Sequence, residues 1–258
     1  MDLETHYTTG PAETSRLART PHGRLEYLRT RELLRRFLPG RARVLDVGGG
    51  TGVHAAWLAG DGHPVDLIDV VPSHVDTAAA LPGVTARIGD ARHLLVADET
   101  YDVVLLLGPL YHLVDAEDRA RALAEARRVL RPGGLLAAAG ISRYLSLLET
   151  GAAGTLTADL VTPIHEVVTN GAYDGHVGFV PTHWHTAAEL HGEVTTAGFA
   201  DAVVHGVEGP AWPALDAAGL TAFDSRVEAA LRAARLAEQD PHLVHTSAHL
   251  LAIARRPA

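Results

Sequence analysis

The spacing of apolar positions along the chain changes period several times, and each change marks an element. From about Leu25 to Leu38, the residues Leu25, Leu28, Leu33, Leu34, Phe37 and Leu38 recur mostly at helical spacing, and Pro39-Gly40 stops the pattern. A strand at 43–47 follows, then a helix over about 53–60, a turn at Asp61-Gly62-His63-Pro64, and the strand Val65-Asp66-Leu67-Ile68 ending in Asp69. A short helix over about 73–80 leads to a strand near 84–88 that ends in Gly89-Asp90. The run Val103-Val104-Leu105-Leu106-Leu107 lacks polar alternation, as expected of a parallel strand covered on both faces. Asp115 is placed to cap a helix running to Leu130, and Arg131-Pro132-Gly133-Gly134 turns the chain into the strand Leu135–Ala139.

After that strand the rhythm breaks. Residues 143–182 carry two or three short helical patterns and the loop-like Asn170-Gly171-Ala172-Tyr173-Asp174-Gly175, so they read as an insertion over the C-terminal edge of a sheet. Regularity returns with a helix at 186–197, a strand near 201–205, a helix at 221–238 and a last strand around His249–Ala254. This alternation predicts an α/β fold with a doubly wound, mostly parallel sheet of about seven strands.

Chemistry concentrates where the first strand ends. Val44-Leu45-Asp46-Val47-Gly48-Gly49-Gly50-Thr51-Gly52 runs from an apolar strand through glycines into a helix near Val53, an arrangement that lets a nucleotide approach backbone and helix N–H groups. A phosphate-binding P-loop needs a lysine here, and all 22 Lys+Arg residues of the chain are arginine. The dinucleotide fingerprint G-x-G-x-x-G needs glycine where Val53 stands. In an open α/β sheet the ligand lies outside the carboxyl ends of the strands, which singles out three further points. Asp69 is placed to accept from a ribose diol. Asp90 can accept from an adenine amino group, with the Ala91 N–H nearby. At the fourth strand, Leu107 and Gly108 leave carbonyls near 106–108 free to receive an ammonium.

Asp46-x-Gly48-x-Gly50-x-Gly52, L-I-D-V at 67–70, G-D-A at 89–91, L-L-L-G-P-L-Y-H-L at 105–113 and R-P-G-G at 131–134 resemble, in order and spacing, the small-molecule class I S-adenosylmethionine-dependent methyltransferases. The resemblance is wide over about 40–140 and weak in the tail. It implies a Rossmann-like fold, S-adenosylmethionine as cofactor and S-adenosylhomocysteine as product. By the same resemblance, Gly48 and Gly50 hold the methionine part, Asp69 the ribose, and Val70 or Val71 packs on adenine. Leu107-Gly108-Pro109-Leu110 departs from the N-P-P-Y type that goes with methylation of adenine or amide nitrogen. The segment Tyr7–Thr30 resembles a substrate-proximal cap, with Tyr7 or Arg29 expected to contact the cofactor's carboxylate or to close the site. The expected organisation is a helical cap over 1–40, a cofactor-binding core over 41–142, a lid over 143–182 and completion of the sheet over 183–258.

Composition narrows the acceptor. A net charge of −9 and the absence of any arginine stripe argue against nucleic acid. Without cysteine, thiolate and disulfide chemistry are excluded. No apolar run spans a bilayer, so a cytoplasmic protein without a membrane partner is expected, as monomer or homodimer. In-line methyl transfer needs a base only when the nucleophile arrives protonated. His112, just beyond the fourth strand, and His185 are the candidates, while Tyr111, Tyr144, His183 and Trp184 are expected to wall the acceptor pocket. His183-x-His185 places two rings on one side of an extended segment, but no third ligand stands in a local motif, so no metal is expected. The reading is methyl transfer to an O, N or C nucleophile of a small molecule. Its alternatives are a methyltransferase of peptide or protein side chains and a non-catalytic cofactor-binding regulator.

Overall fold

A computed structural model describes residues 16–176 and 179–258. In chain order its elements are α1 (Arg16–Arg19), α2 (Pro21–Phe37), β1 (Val44–Val47), α3 (Val53–Gly60), β2 (Val65–Asp69), α4 (Pro72–Ala79), β3 (Val84–Ile88), β4 (Tyr101–Leu106), α5 (Pro109–His112), α6 (Ala116–Val129) and β5 (Leu130–Ile141). There follow α7 (Leu145–Ala153), α8 (Ala158–Asn170), β6 (Ala172–Tyr173), β7 (Thr182–His183), α9 (Ala187–Thr196), β8 (Ala200–Gly206), α10 (Trp212–Ala218), α11 (Phe223–Ala237) and β9 (His249–Arg255).

Seven strands form one sheet in the order β3-β2-β1-β4-β5-β9-β8, and β6 pairs with β7 apart from it. The first five run parallel, whereas β9 lies antiparallel between β5 and β8. The expected Rossmann-like sheet is therefore present, and the strands put alternate residues on opposite faces. Val104, Leu106, Leu136 and Ala138 pack with Leu123 and Ala126 of α6 and with Leu190 and Val194 of α9. Val103, Leu105, Leu135 and Ala137 pack with Leu33 and Leu34 of α2, Trp57 and Leu58 of α3, and Ala78 of α4. Each such fully buried Leu contributes roughly 1.5–3 kcal/mol, which is why the strands read as unbroken apolar runs.

Some local expectations change. Helix α6 does begin after Asp115, but the Asp115 side chain makes no capping bond; its carbonyl accepts from Asp118 and Arg119 instead. Arg131–Gly134 is not a free turn: it lies within β5, where Tyr101 pairs with Leu130 and Val103 with Leu135 across a register shift, and Gly133 takes φ +76. The short helix α10, with a proline in its first turn, is too brief to leave a period in the sequence.

Candidate functional site

A cavity opens at the carboxyl edge of the parallel strands, where the loop after β1 meets those after β2, β3 and β4. Gly48, Gly50 and Gly52 have φ of +67, +57 and +84, a left-handed path that an L side chain resists. Gly48 has a steric reason as well, since a Cβ there would lie 2.6 Å from Pro109 Cγ. Its N–H donates to the Ile68 carbonyl at 2.7 Å, tying the turn to the end of β2. Asp69 completes the tie: Oδ2 accepts from Gly50 N–H at 2.8 Å and Oδ1 from Val71 N–H at 2.9 Å. His74 Nδ1 also lies 3.4 Å from Oδ1, so Oδ2 is the oxygen with a lone pair to spare, and Asp69 lines the cavity.

Asp46 differs in kind. It lines the cavity yet is 1% exposed, and neither carboxylate oxygen has a hydrogen-bond partner among the described residues. Burial, followed by repulsion from Asp69, pushes its pKa up to about 7. A carboxylate left bare in a concave site is a receptor for a cationic donor, because such a group completes the interaction that burial has left unmade.

The cofactor candidates Asp46, Gly48, Gly50, Asp69, Val70, Asp90, Ala91, Leu107 and Gly108 all line this cavity. Asp90 is already engaged, since Arg92 donates to both of its oxygens, at 3.0 and 2.6 Å, and keeps its pKa low. Tyr7 lies outside the described residues. Arg29 does not line the cavity: it is wholly buried, with Nε donating to the Val207 carbonyl at 3.1 Å and the guanidinium paired to Glu238 and Glu32. A desolvated guanidinium flanked by two carboxylates serves packing between α2 and the C-terminal half of the chain.

Of the acceptor-side candidates, Tyr111 and His112 line the cavity and Tyr144, His183, Trp184 and His185 do not. Trp184 stacks on Tyr173 with ring centroids 4.5 Å apart and donates from Nε1 to Thr182, while Tyr144 packs against His245. His185 is fully buried, its Nε2 lying 3.3 Å from Glu193, whose other oxygen accepts from Arg119 at 2.9 Å. Burial, His185 and Arg119 lower the His183 pKa to about 3. Glu193 is thus the third ligand-type group beside the His-x-His pair, carried by α9 and invisible in a local motif. Among the described residues, none of 143–182, the segment expected to form a lid, lines the cavity.

The cavity also exposes residues that sequence reasoning missed. Arg16, Glu26 and Thr30 of α1 and α2, His54 of α3, and Val207 and His249 from the far side of the sheet all line it. Both Arg16 guanidinium nitrogens that face Glu26 donate to it at 3.0 Å. Burial opposes the Glu26 charge, but Arg16, His249 and His22 outweigh that and lower its pKa to about 2. Burial also opposes charge on His249, yet Glu26 and Glu208 prevail and raise its pKa. Glu26 lay within the Arg24–Arg29 motif and was readable; His249 depends on strand order, which periodicity does not give.

Residues 44–134 match a family model described as a methyltransferase domain. An uncharacterized methyltransferase of Mycobacterium tuberculosis is 43% identical over 101 residues, covering 38% of this chain and 40% of that protein. The malonyl-[acyl-carrier protein] O-methyltransferase of Geobacter sulfurreducens is 32% identical over 165 residues, covering 61% of this chain and 55% of that one. The chain therefore spans less than two thirds of the length of these curated relatives. Among solved structures, a possible histamine N-methyltransferase from Thermotoga maritima superposes with TM-score 0.60 at 20% identity, covering 90% of both chains. An S-adenosylmethionine dependent methyltransferase from Mesorhizobium loti gives TM-score 0.59 at 23% identity, covering 90% of this chain and 100% of that one. At such identities the structural likeness speaks for the fold.

Proposed function

We propose that the chain, whose residues 44–134 match a methyltransferase-domain model on a Rossmann-like sheet, transfers the methyl group of S-adenosylmethionine to a small-molecule acceptor. The observation that carries this reading is Asp46, a bare buried carboxylate beside the glycine turn that fits a donor bearing an ammonium. Asp69, with a lone pair to spare on Oδ2, fits a ribose diol, and exposed Val70 beside it fits the flat adenine face. When bound, S-adenosylmethionine supplies a sulfonium methyl open to in-line displacement. The chain's own part is positioning: the turn, pinned through Gly48 and Gly50, fixes the donor side, and Tyr111 and His112, on the helix whose Pro109 lies against Gly48, line the same cavity.

No helix among the described residues is long and apolar enough to cross a membrane, and a concave cavity with apolar and polar residues in its lining suits a small acceptor. Calorimetry with S-adenosylmethionine and S-adenosylhomocysteine tests the reading. At pH 6.5 the charged donor is expected to bind with release of protons, because its ammonium ionises Asp46, and the release is expected to vanish in Asp46→Asn. Binding of a nicotinamide dinucleotide in place of S-adenosylmethionine would overturn it.

A further inference from the structure

The end of the cavity away from the glycine turn holds a histidine arranged to take up a proton. His249 opens β9 and lines the cavity. Its Nδ1 donates to Glu208 Oε1 at 2.6 Å, and its backbone N–H donates to Glu208 Oε2 at 2.9 Å, so one carboxylate fixes the ring and the chain together. Glu208 is fully buried, and its neighbour Val207 is held on two sides: its carbonyl accepts from Arg29, and its N–H donates to the His249 carbonyl at 3.0 Å. A second carboxylate, Glu26, lies 3.8 Å from Nδ1 and is itself clamped by Arg16. Glu208, Glu26 and Arg16 are the charged groups that act on this ring. With Nδ1 committed to Glu208, Nε2 is the ring nitrogen left to meet a ligand.

Strand register places this group relative to the donor. His249 pairs with Ile141 of β5, and β5 pairs with β4, whose end leads into Gly108. Two inter-strand spacings, roughly 10 Å, therefore separate the strand of His249 from the strand that ends at Gly108, and three, roughly 14 Å, separate it from the strand of the glycine turn. Ala139, Leu251 and Val207 line the space between.

Resting on the methyl-transfer reading, we propose that His249 is the general base of that transfer, that Glu208 is its positioning residue, and that the acceptor is a phenol or enol hydroxyl on an apolar skeleton. The acceptor O–H proton passes to Nε2. An oxygen lone pair forms the O–CH₃ bond while the sulfur–methyl bond breaks and its electron pair stays on sulfur, leaving a thioether; the proton then returns to solvent. The imidazolium formed lies between Glu208 and Glu26, so the charge created in the step is met by charges already in place. The acceptor class follows from what needs a base. A carboxylic acid arrives ionised and a neutral amine carries its own lone pair, whereas a phenol or enol must lose a proton that imidazole can take.

The full chain is assayed with isotopically methyl-labelled S-adenosylmethionine against phenols of graded acidity, primary amines and carboxylic acids, alongside calorimetry for the donor. Methylation of phenol oxygen is expected. His249→Gln is expected to lower kcat at least about 100-fold, with donor affinity within about threefold, and the loss should shrink as the phenol becomes more acidic. Glu208→Gln sets an amide NH₂ against Nδ1, which moves the ring proton to Nε2 and should cause a loss of the same kind with an altered pH profile. A readout independent of turnover is the NMR titration of the ligand-free protein: His249 should titrate above an ordinary histidine and fall back in Glu208→Gln, whether or not His249→Gln folds. Methylation confined to amines or carboxylates, no phenol turnover by a chain that binds the donor, full rate in His249→Gln, or a loss carried by His112→Gln would each overturn the assignment. Failure to bind S-adenosylmethionine at all would instead remove the methyl-transfer reading, and this assignment with it.

Discussion

The two ends of the cavity treat buried negative charge in opposite ways. Beside the glycine turn Asp46 is bare and its pKa is pushed up to about 7, whereas at the far end Glu26, also buried, is held down to about 2 by Arg16, His249 and His22. Environment decides the difference, since both are carboxylates removed from water. A bare carboxylate stores an interaction that only an incoming cation completes. A paired one has committed its interaction inside the protein, where it fixes the position and charge of its partners. One end is thus built to receive, and the other to hold groups ready.

The largest expected effect breaks the receiving end outright. Gly48→Ala forces a Cβ onto a φ of +67 and within 2.6 Å of Pro109. Left-handed strain of roughly 1–2 kcal/mol and displacement of the turn should together weaken donor binding by at least about 100-fold, read by calorimetry. An unchanged Kd would mean that the donor does not sit on this turn.

Asp46→Asn sharpens the contrast through pH. A folded pKa raised from 3.8 to about 7 means that ionising Asp46 costs native stability as pH climbs through that window. The ligand-free asparagine variant should therefore be more stable than the parent at pH 8 by roughly 1–2 kcal/mol, with the advantage gone near pH 4, while its donor affinity falls. Melting curves at both pH values check this; equal stability at pH 8 would show that Asp46 has a partner in solution.

At the holding end the sign reverses. The depressed pKa of Glu26 contributes stability above 4.5 that is lost as pH falls towards about 2. Arg16 is 37% exposed, so solvent screens the pair. Arg16→Ala should cost about 1 kcal/mol at pH 7 and converge with the parent in acid. A deficit that persists at pH 2 would mark Arg16 as a packing residue instead.

The same contrast explains which residues were legible. The receiving end comes from strand–turn sequences in which a few consecutive residues carry both the pattern and the chemistry, as in Val44–Gly52 and Leu67–Val70. The holding end is assembled from Glu26, Glu208 and His249, which no local period connects; only the antiparallel insertion of β9 brings the last two together. Arg29 was picked out for its type and place in the cap motif, but its charge turned inward to Glu238, a partner no spacing foretells. Likewise His183 and His185 found their third neighbour, Glu193, on a helix that packs beside them. Short-range chemistry is written in sequence, and long-range pairing is written in packing.

The position of β9 also sets an order of events in synthesis. It follows every other strand of the sheet along the chain, yet it lies between β5 and β8, and its first residue is His249. On a ribosome the glycine turn and its neighbouring strands can gather early, while β8 has no seat in the sheet until β9 arrives. The strand that joins the two halves delivers His249 in the same move, so the receiving end of the cavity is complete before the holding end.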